Sequence, residues 1–280
     1  MTLDRRLNAC RADLAAEHLR GQVEAAAFTA GVGKQVAVGI APLKEAPGWD
    51  ARLASEMLFG EPVTVYEERD GWAWVQAASD GYVGYTPAEC LEAPGPRATH
   101  RVTALHTILY PEPDLKSAPL DMLPMSADLA LAGGSRDGFM ELAAGGWVFH
   151  GHVAEIGAPL PDAVAVAERF LWTPYLWGGK SSRGIDCSGL VQVALRAAGH
   201  QAMRDTDMQA GSLGREVDRE APRARGDIVY FPGHVGIMLD GGRLLHANAW
   251  SMTVAAHPLA EVVARIAATH AEPVTCVRRL

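Results

Sequence analysis

Cys187 lies in the run Gly184-Ile185-Asp186-Cys187-Ser188-Gly189-Leu190-Val191, where a glycine-containing loop turns into an apolar helical stretch. Downstream come Gly233-His234-Val235-Gly236 and Leu245-His246-Ala247-Asn248. A thiol at a helix N-terminus feels the partial positive charge of unpaired N–H groups, so its pKa is expected to fall and the thiolate to be populated. Cysteine catalysis further needs a histidine to take and return the proton and a third polar group to hold the imidazole tautomer. Cys187, His234 and His246 are the right residue types for these three roles. Each also has a structural use: a buried small hydrophobe for the cysteine, a turn residue and a strand-end residue for the histidines. One cysteine and two histidines also occur around catalytic zinc, but no further ligand cluster adjoins them, so no metal is expected.

These residues need elements to hold them. Asp162 can cap a helix carrying Val164, Val166, Ala167, Phe170 and Leu171, stopped at Thr173-Pro174. A glycine-rich loop at Trp177-Gly178-Gly179 leads into the Cys187 helix, which should end near Gly199, followed by a polar segment around Asp205. Asp227-Ile228-Val229-Tyr230-Phe231, Val235-Gly236-Ile237-Met238-Leu239 and Arg243-Leu244-Leu245-His246-Ala247 are separated by Pro232-Gly233 and Asp240-Gly241-Gly242, the pattern of an antiparallel meander. His234 opens one strand and His246 ends the next, so a hairpin would bring both rings to one edge, facing the helix that starts at Cys187. This third module, residues 158–280, reads as α+β with helices first and the sheet afterwards.

Upstream the grammar differs. Residues 4–28 place Leu7, Leu14, Leu19 and Val23 among charges, which predicts an amphipathic helix acting as a packing arm within residues 1–30. From residue 31, short strand candidates with turn signals at Arg69-Asp70-Gly71 and Ser79-Asp80-Gly81 predict a small β-barrel up to residue 95. A weaker copy over 96–157 follows the connector Glu92-Ala93-Pro94-Gly95-Pro96, with Gly138-Phe139-Met140-Glu141-Leu142 matching Gly71-Trp72-Ala73-Trp74-Val75. His150 and His152 alternate around Gly151, a spacing read as an exposed strand edge rather than a metal site. Gly31-Val32-Gly33-Lys34 lacks the rest of a phosphate loop and is assigned to turns.

The chain has 280 residues, 49% hydrophobic and 21% charged, enough for two or three packed modules. A net charge of -8 gives no overall footprint for nucleic acid or an anionic membrane. Four scattered cysteines without a C-x-x-C pair argue for reduced thiols. No apolar signal-peptide core and no run long enough to span a bilayer is seen, so a cytoplasmic location is expected.

Five blocks carry a family resemblance: Pro174-Tyr175-Leu176-Trp177-Gly178-Gly179, Asp186-Cys187-Ser188-Gly189-Leu190-Val191, Arg225-Gly226-Asp227-Ile228-Val229, Gly233-His234-Val235-Gly236-Ile237 and Leu245-His246-Ala247. Residues 160–280 resemble the NlpC/P60 family of cell-wall cysteine peptidases on a papain-like core. The resemblance implies Cys187 as nucleophile, His234 as general base, His246 as the group orienting it, and Tyr175 with the Cys187 backbone N–H as oxyanion donors. Residues 31–156 resemble tandem bacterial SH3 domains, most clearly in Ser55-Glu56-Met57-Leu58-Phe59-Gly60-Glu61 and Asp80-Gly81-Tyr82-Val83-Gly84-Tyr85. The whole is similar to γ-D-glutamyl-L-diamino acid endopeptidases acting on murein peptides with a free N-terminal L-alanine, in cell-wall peptide recycling, with either meso-diaminopimelate or L-lysine as the diamino acid. By that resemblance no cofactor is needed. Asp186 and Ser188, together with Glu56 and either Tyr82 or Tyr85 of the first SH3 domain, would hold the substrate's ammonium and backbone. Trp177, Asp205 and Thr206 are further candidates for substrate contact. Two other readings stay open: a non-catalytic wall-binding protein, and an amidase or acyltransferase on the same core.

Overall fold

The structure is a computed structural model and describes residues 3–280; residues 1 and 2 of the expected arm lie outside the described residues. The chain divides into two compact units, with the break between Gly157 and Ala158.

The first unit is built on a seven-stranded sheet in the order Leu53–Leu58, Ile40–Lys44, Val83–Pro87, Trp72–Ala77, Pro62–Arg69, Val32–Val36, Leu91–Glu92. Its inward residues, including Val63, Val65, Ala73, Val75 and Ala77, are buried, as alternation along half-buried strands requires. The turn at Asp70-Gly71 joins paired Arg69 and Trp72 with φ of +51° and +79°, the two positive values of a type I′ hairpin. The sheet runs between two edges and does not close on itself.

The expected helix over 4–28 does not form. Leu14–Ala16 instead pairs in parallel with Ala27–Thr29, with a single 3-10 turn at Glu17–Leu19 between them. The reason is a distant partner. Ala9, Ala16 and Leu19 are buried in one cluster with Trp74, and the Arg11 guanidinium sits 4.3 Å from the Trp74 ring centre while bonding to Glu67 at 2.7 Å. The segment also adds to the sheet: Val83 N–H donates to the Arg6 carbonyl at 2.8 Å, and the Gln76 amide donates to the Leu7 carbonyl at 2.8 Å.

Residues 100–155 form three small antiparallel assemblies rather than a barrel. One is His100–Val102 between Asp128–Leu129 and Val153–Glu155, the second pairs His106–Leu109 with Asp121–Pro124, and the third joins Leu131–Arg136, Phe139–Leu142 and Trp147–Phe149. Asp137-Gly138 makes the same positive-φ turn as Asp70-Gly71. Leu58 at the end of the first sheet's edge strand and Phe59 in the turn after it share a core with Val102, Leu109, Leu123 and Leu129, so the two β portions of this unit are packed as one body. Gly60 makes this possible, since a Cβ there would overlap the Asp128 carbonyl. His150–His152 is a 3-10 turn, not a strand edge: its rings bond to the Gly138 carbonyl at 2.7 Å and to Thr107 Oγ1 at 3.0 Å.

The second unit has four helices, α1 Ala163–Glu168, α2 Cys187–Ala197, α3 Thr206–Ser212 and α4 Leu259–Ala267. They flank a six-stranded antiparallel sheet in the order Arg215–Glu216, Cys276–Arg279, Ile228–Phe231, His234–Met238, Arg243–Asn248, Thr253–Pro258. α2 packs on His234–Met238 and Arg243–Asn248. α4, which follows most of the sheet instead of preceding it, buries Val262 with Val229, Phe231, Met238 and Leu244. Asp162 caps α1 by accepting from Val164 N–H at 2.8 Å. Among the described residues no helix is long and apolar enough to cross a membrane.

Because Trp74 anchors the N-terminal segment, Trp74→Ala should destabilise the first unit by about 3–5 kcal/mol, the usual scale for emptying a buried aromatic site. Denaturant unfolding, followed by protease susceptibility of residues 3–29, checks this; unchanged stability would show that the segment is held elsewhere.

Candidate functional site

The site begins with the start of α2. Asp186 is its N-cap: one carboxylate oxygen accepts from Gly189 N–H at 2.7 Å, satisfying a donor that the first helical turn leaves unpaired. The other accepts from Gly178 N–H at 2.8 Å. Arg204, 1% exposed, completes the group with a two-point bridge to Asp186 at 3.0 and 2.7 Å and a bond to Ser188 Oγ at 2.9 Å. Gly189 must be glycine because a Cβ there would overlap the Gly179 carbonyl. Gln209 of α3 donates to the Ser188 carbonyl at 3.0 Å, tying a third segment to the same turn.

Cys187 is thereby the first residue of α2, 7% exposed, with the backbone N–H groups of Ser188 and Val235 directed at its sulfur. Tyr175 lies close enough for the charges of Cys187 and Asp186 to act on its hydroxyl. Its loop is fixed on both sides, by Tyr175 N–H to the Met252 carbonyl at 2.9 Å and Ile185 N–H to the Pro174 carbonyl at 3.0 Å. Burial, then those two charges, raises the Tyr175 pKa, so the phenol remains a proton donor.

Across the sheet three imidazoles form a row. His234 Nε2 lies 2.7 Å from His246 Nδ1, and His246 Nε2 lies 3.0 Å from His257 Nδ1. Register explains the row. Ile237 pairs with Leu245, and His246 pairs with Ala255, so each histidine stands diagonal to the next on one face of three adjacent strands. His246 is inside its strand, fourth residue of Arg243–Asn248, not at its end. The Trp250 ring lies 5.9, 5.0 and 6.0 Å from those of His234, His246 and His257, and Phe231 stacks on His234 at 5.8 Å.

Burial sets the protonation states. It pushes the Cys187 thiol up to about 12, with the charge of Asp186 adding to the effect, although the Val235 and Ser188 N–H groups oppose it. It holds His234 down at about 4 and His246 at about 2, the latter also because protonation of His234 or His257 would oppose it. The resting Cys187 thiol and the His234 and His246 imidazoles are therefore neutral. This corrects the expectation of a populated thiolate: desolvation outweighs the helix N-terminus here.

The second unit thus brings together Cys187, His234, His246, Tyr175, Asp186 and Ser188. Asp205 occupies the N-cap position of α3 and Thr206 opens it, while Trp177 is 59% exposed on the loop before α2. Glu56, Tyr82 and Tyr85 belong to the first unit. Glu56 is buried in Leu53–Leu58, Tyr82 is buried just before Val83–Pro87, and Tyr85 accepts a hydrogen bond from Arg11 at 3.1 Å. Sequence reasoning missed Arg204 and His257. For Arg204 the signal was the apolar context of Asp186, a carboxylate that needs a cation once buried. For His257 it was the run of alternate positions that ends the strand Thr253–Pro258.

A thiol heading a helix that packs on an antiparallel sheet, with imidazoles in a row on neighbouring strands, defines a cysteine hydrolase of the papain-like α+β class. Comparison with known proteins agrees: residues 172–271 match the NlpC/P60 family, and residues 43–91 match the bacterial dipeptidyl-peptidase SH3 domain. The second unit is an NlpC/P60 domain, of a family of cysteine peptidases, and the first unit carries a bacterial SH3 domain. Similar proteins include dipeptidyl-peptidase 6 of Lysinibacillus sphaericus, 29% identical over 75% of this chain and 85% of that protein. Another is the γ-D-glutamyl-L-lysine dipeptidyl-peptidase of Bacillus subtilis, 27% identical over 76% and 78%. A crystal structure of an NlpC/P60 family protein from Bacillus cereus superposes with a TM-score of 0.74 at 22% identity, covering 89% of this chain and 99% of that one, and shares the fold.

Two outcomes follow from the site's electrostatics. Arg204→Ala leaves the Asp186 carboxylate buried without its cation and should destabilise the second unit by about 3–5 kcal/mol; a denaturation midpoint equal to wild type would contradict the bridge's role. His234 and His246 bind protons more readily when unfolded, where their pKa is about 6.5. The stability they contribute is complete above pH 6.5 and is lost as pH falls toward 4. Urea titrations between pH 7 and 4.5 should show that decline, with a shallower slope in His246→Asn; a flat profile in wild type would exclude neutral burial.

Proposed function

We propose that the chain is a cysteine endopeptidase cleaving the bond between γ-D-glutamate and a diamino acid in murein peptides with a free N-terminal L-alanine, in the context of cell-wall peptide recycling. The observation that carries the reading is the contiguous set of Cys187 on the capped α2 and the hydrogen-bonded pair His234 and His246. Relatives that align across three quarters of the chain, one of them named for the γ-D-glutamyl-L-lysine linkage, support the substrate class.

The proposed reaction runs in the following steps. His234 removes the Cys187 proton as the sulfur attacks the γ-carbonyl carbon, and the new oxyanion faces the Tyr175 hydroxyl and the Cys187 backbone N–H. Collapse expels the amine of the diamino acid, which takes the proton from His234. Water, deprotonated by His234, then releases the dipeptide and restores the thiol. Tyr175 serves as a donor because its raised pKa keeps it protonated. His246 holds His234 through Nε2, leaving Nδ1 for the thiol.

Asp186 and Ser188 are proposed substrate neighbours at the start of α2, where Arg204 already balances the Asp186 charge, and Trp177, Asp205 and Thr206 are proposed further contacts. Recognition of the free ammonium is proposed for Glu56 with either Tyr82 or Tyr85 of the first unit, the Tyr85 hydroxyl also accepting from Arg11. The matching Asp-Gly turns support residues 96–157 as a second SH3-derived module.

The protein should hydrolyse L-Ala-γ-D-Glu-meso-diaminopimelate at least about 100-fold faster, in kcat/KM, than its N-acetylated copy, because acetylation removes the ammonium charge that the proposed carboxylate recognises. Glu56→Gln should erode that preference and Cys187→Ala should abolish turnover. Equal rates on both peptides would refute ammonium recognition, and no turnover of either would refute the peptidase assignment.

A further inference from the structure

The row of imidazoles does not stop at the pair that the proposed mechanism uses. His246 presents its second nitrogen, Nε2, to His257 Nδ1 at 3.0 Å. Each of the two ring-to-ring contacts holds one proton, so the row has a direction, and only one direction suits catalysis. For His234 to accept the Cys187 proton, its Nδ1 must be bare, which puts its own proton on Nε2, donated to His246 Nδ1. His246 must then be the Nε2–H tautomer, and that proton needs an acceptor in a fully buried ring. His257 Nδ1 is the acceptor in place. In the reverse direction, His257 Nδ1–H donates to His246 and His246 Nδ1–H to His234, leaving His234 with a proton facing the thiol and no capacity to act as a base.

We propose that His257 is a positioning residue for catalysis: as terminal acceptor it fixes the His246 tautomer and so keeps His234 competent as a base. The proposal rests on the assignment of His234 as base. His257 is suited to end the row because it is only partly buried, so its own Nε2–H can be met by solvent. Trp250 spans all three rings and is itself covered by the Arg265 guanidinium, 5.1 Å from its ring centre, which holds the row in place.

The test compares His257→Phe, which keeps a ring but no acceptor, with His257→Asn, whose amide oxygen can replace Nδ1. On the free tripeptide, the Phe variant should lose about tenfold or more in kcat with KM nearly unchanged, the scale of leaving a buried donor unmet, and Asn should restore most of it. Imidazole 15N shifts in the resting enzyme should place the His246 proton on Nε2 in wild type and partly on Nδ1 in the Phe variant. Wild-type kcat in His257→Phe, equal losses in both variants, or a His246 proton on Nδ1 in wild type would overturn the proposal. Failure of the underlying reading is separately visible: His234→Ala would retain turnover, whereas the 15N spectra report the tautomer whether or not peptide is cleaved.

Discussion

The Asp186 carboxylate is the interaction on which the second unit's chemistry depends. It closes the N-terminus of α2 through Gly189, holds the preceding loop through Gly178, and neutralises the buried Arg204. A buried arginine is tolerable only with such a partner, and a buried carboxylate only with such donors. The consequence is geometric: the residue after the cap must be the first of the helix, and here it is Cys187. Glycine at 189 follows from the same constraint, since the helix start is pressed against the Gly179 carbonyl, and glycine at 179 follows from the fold of the loop itself, where a Cβ would overlap the Gly184 carbonyl.

That close packing also decides the charge state of the site. Dry surroundings keep Cys187 and His234 neutral, and in the proposed mechanism the thiol's proton therefore moves as the carbonyl is attacked rather than beforehand. Under those conditions the direction of hydrogen bonds matters more than any preformed ion pair. The row from His234 through His246 to His257 is proposed to provide that direction, and the Tyr175 phenol, kept protonated by burial, is the proposed donor to the developing negative charge.

The parts of this arrangement governed by neighbours in sequence were legible there. Asp162 announces one helix start, the switch from glycine-containing loop to apolar stretch at Cys187 announces another, Asp70-Gly71 announces a turn, and the strands around Pro232-Gly233 and Asp240-Gly241-Gly242 follow from alternation and turns. What was not legible depends on distant partners. Residues 4–28 answer to Trp74 rather than to their own spacing, Arg204 answers to a carboxylate in another segment, and His257 joins the row only through the register of two successive hairpins. The thiol's protonation state was misread for the same reason, because burial is a property of the whole unit and not of a helix terminus.

The central claim, that Cys187 is the nucleophile, is tested most directly by carboxymethylation with iodoacetate followed by peptide mapping against residual peptidase activity. The account predicts that activity falls in proportion to modification of Cys187, whatever the state of Cys10, Cys90 and Cys276, and that saturating free tripeptide slows the reaction. Full activity in protein whose Cys187 is carboxymethylated would contradict it.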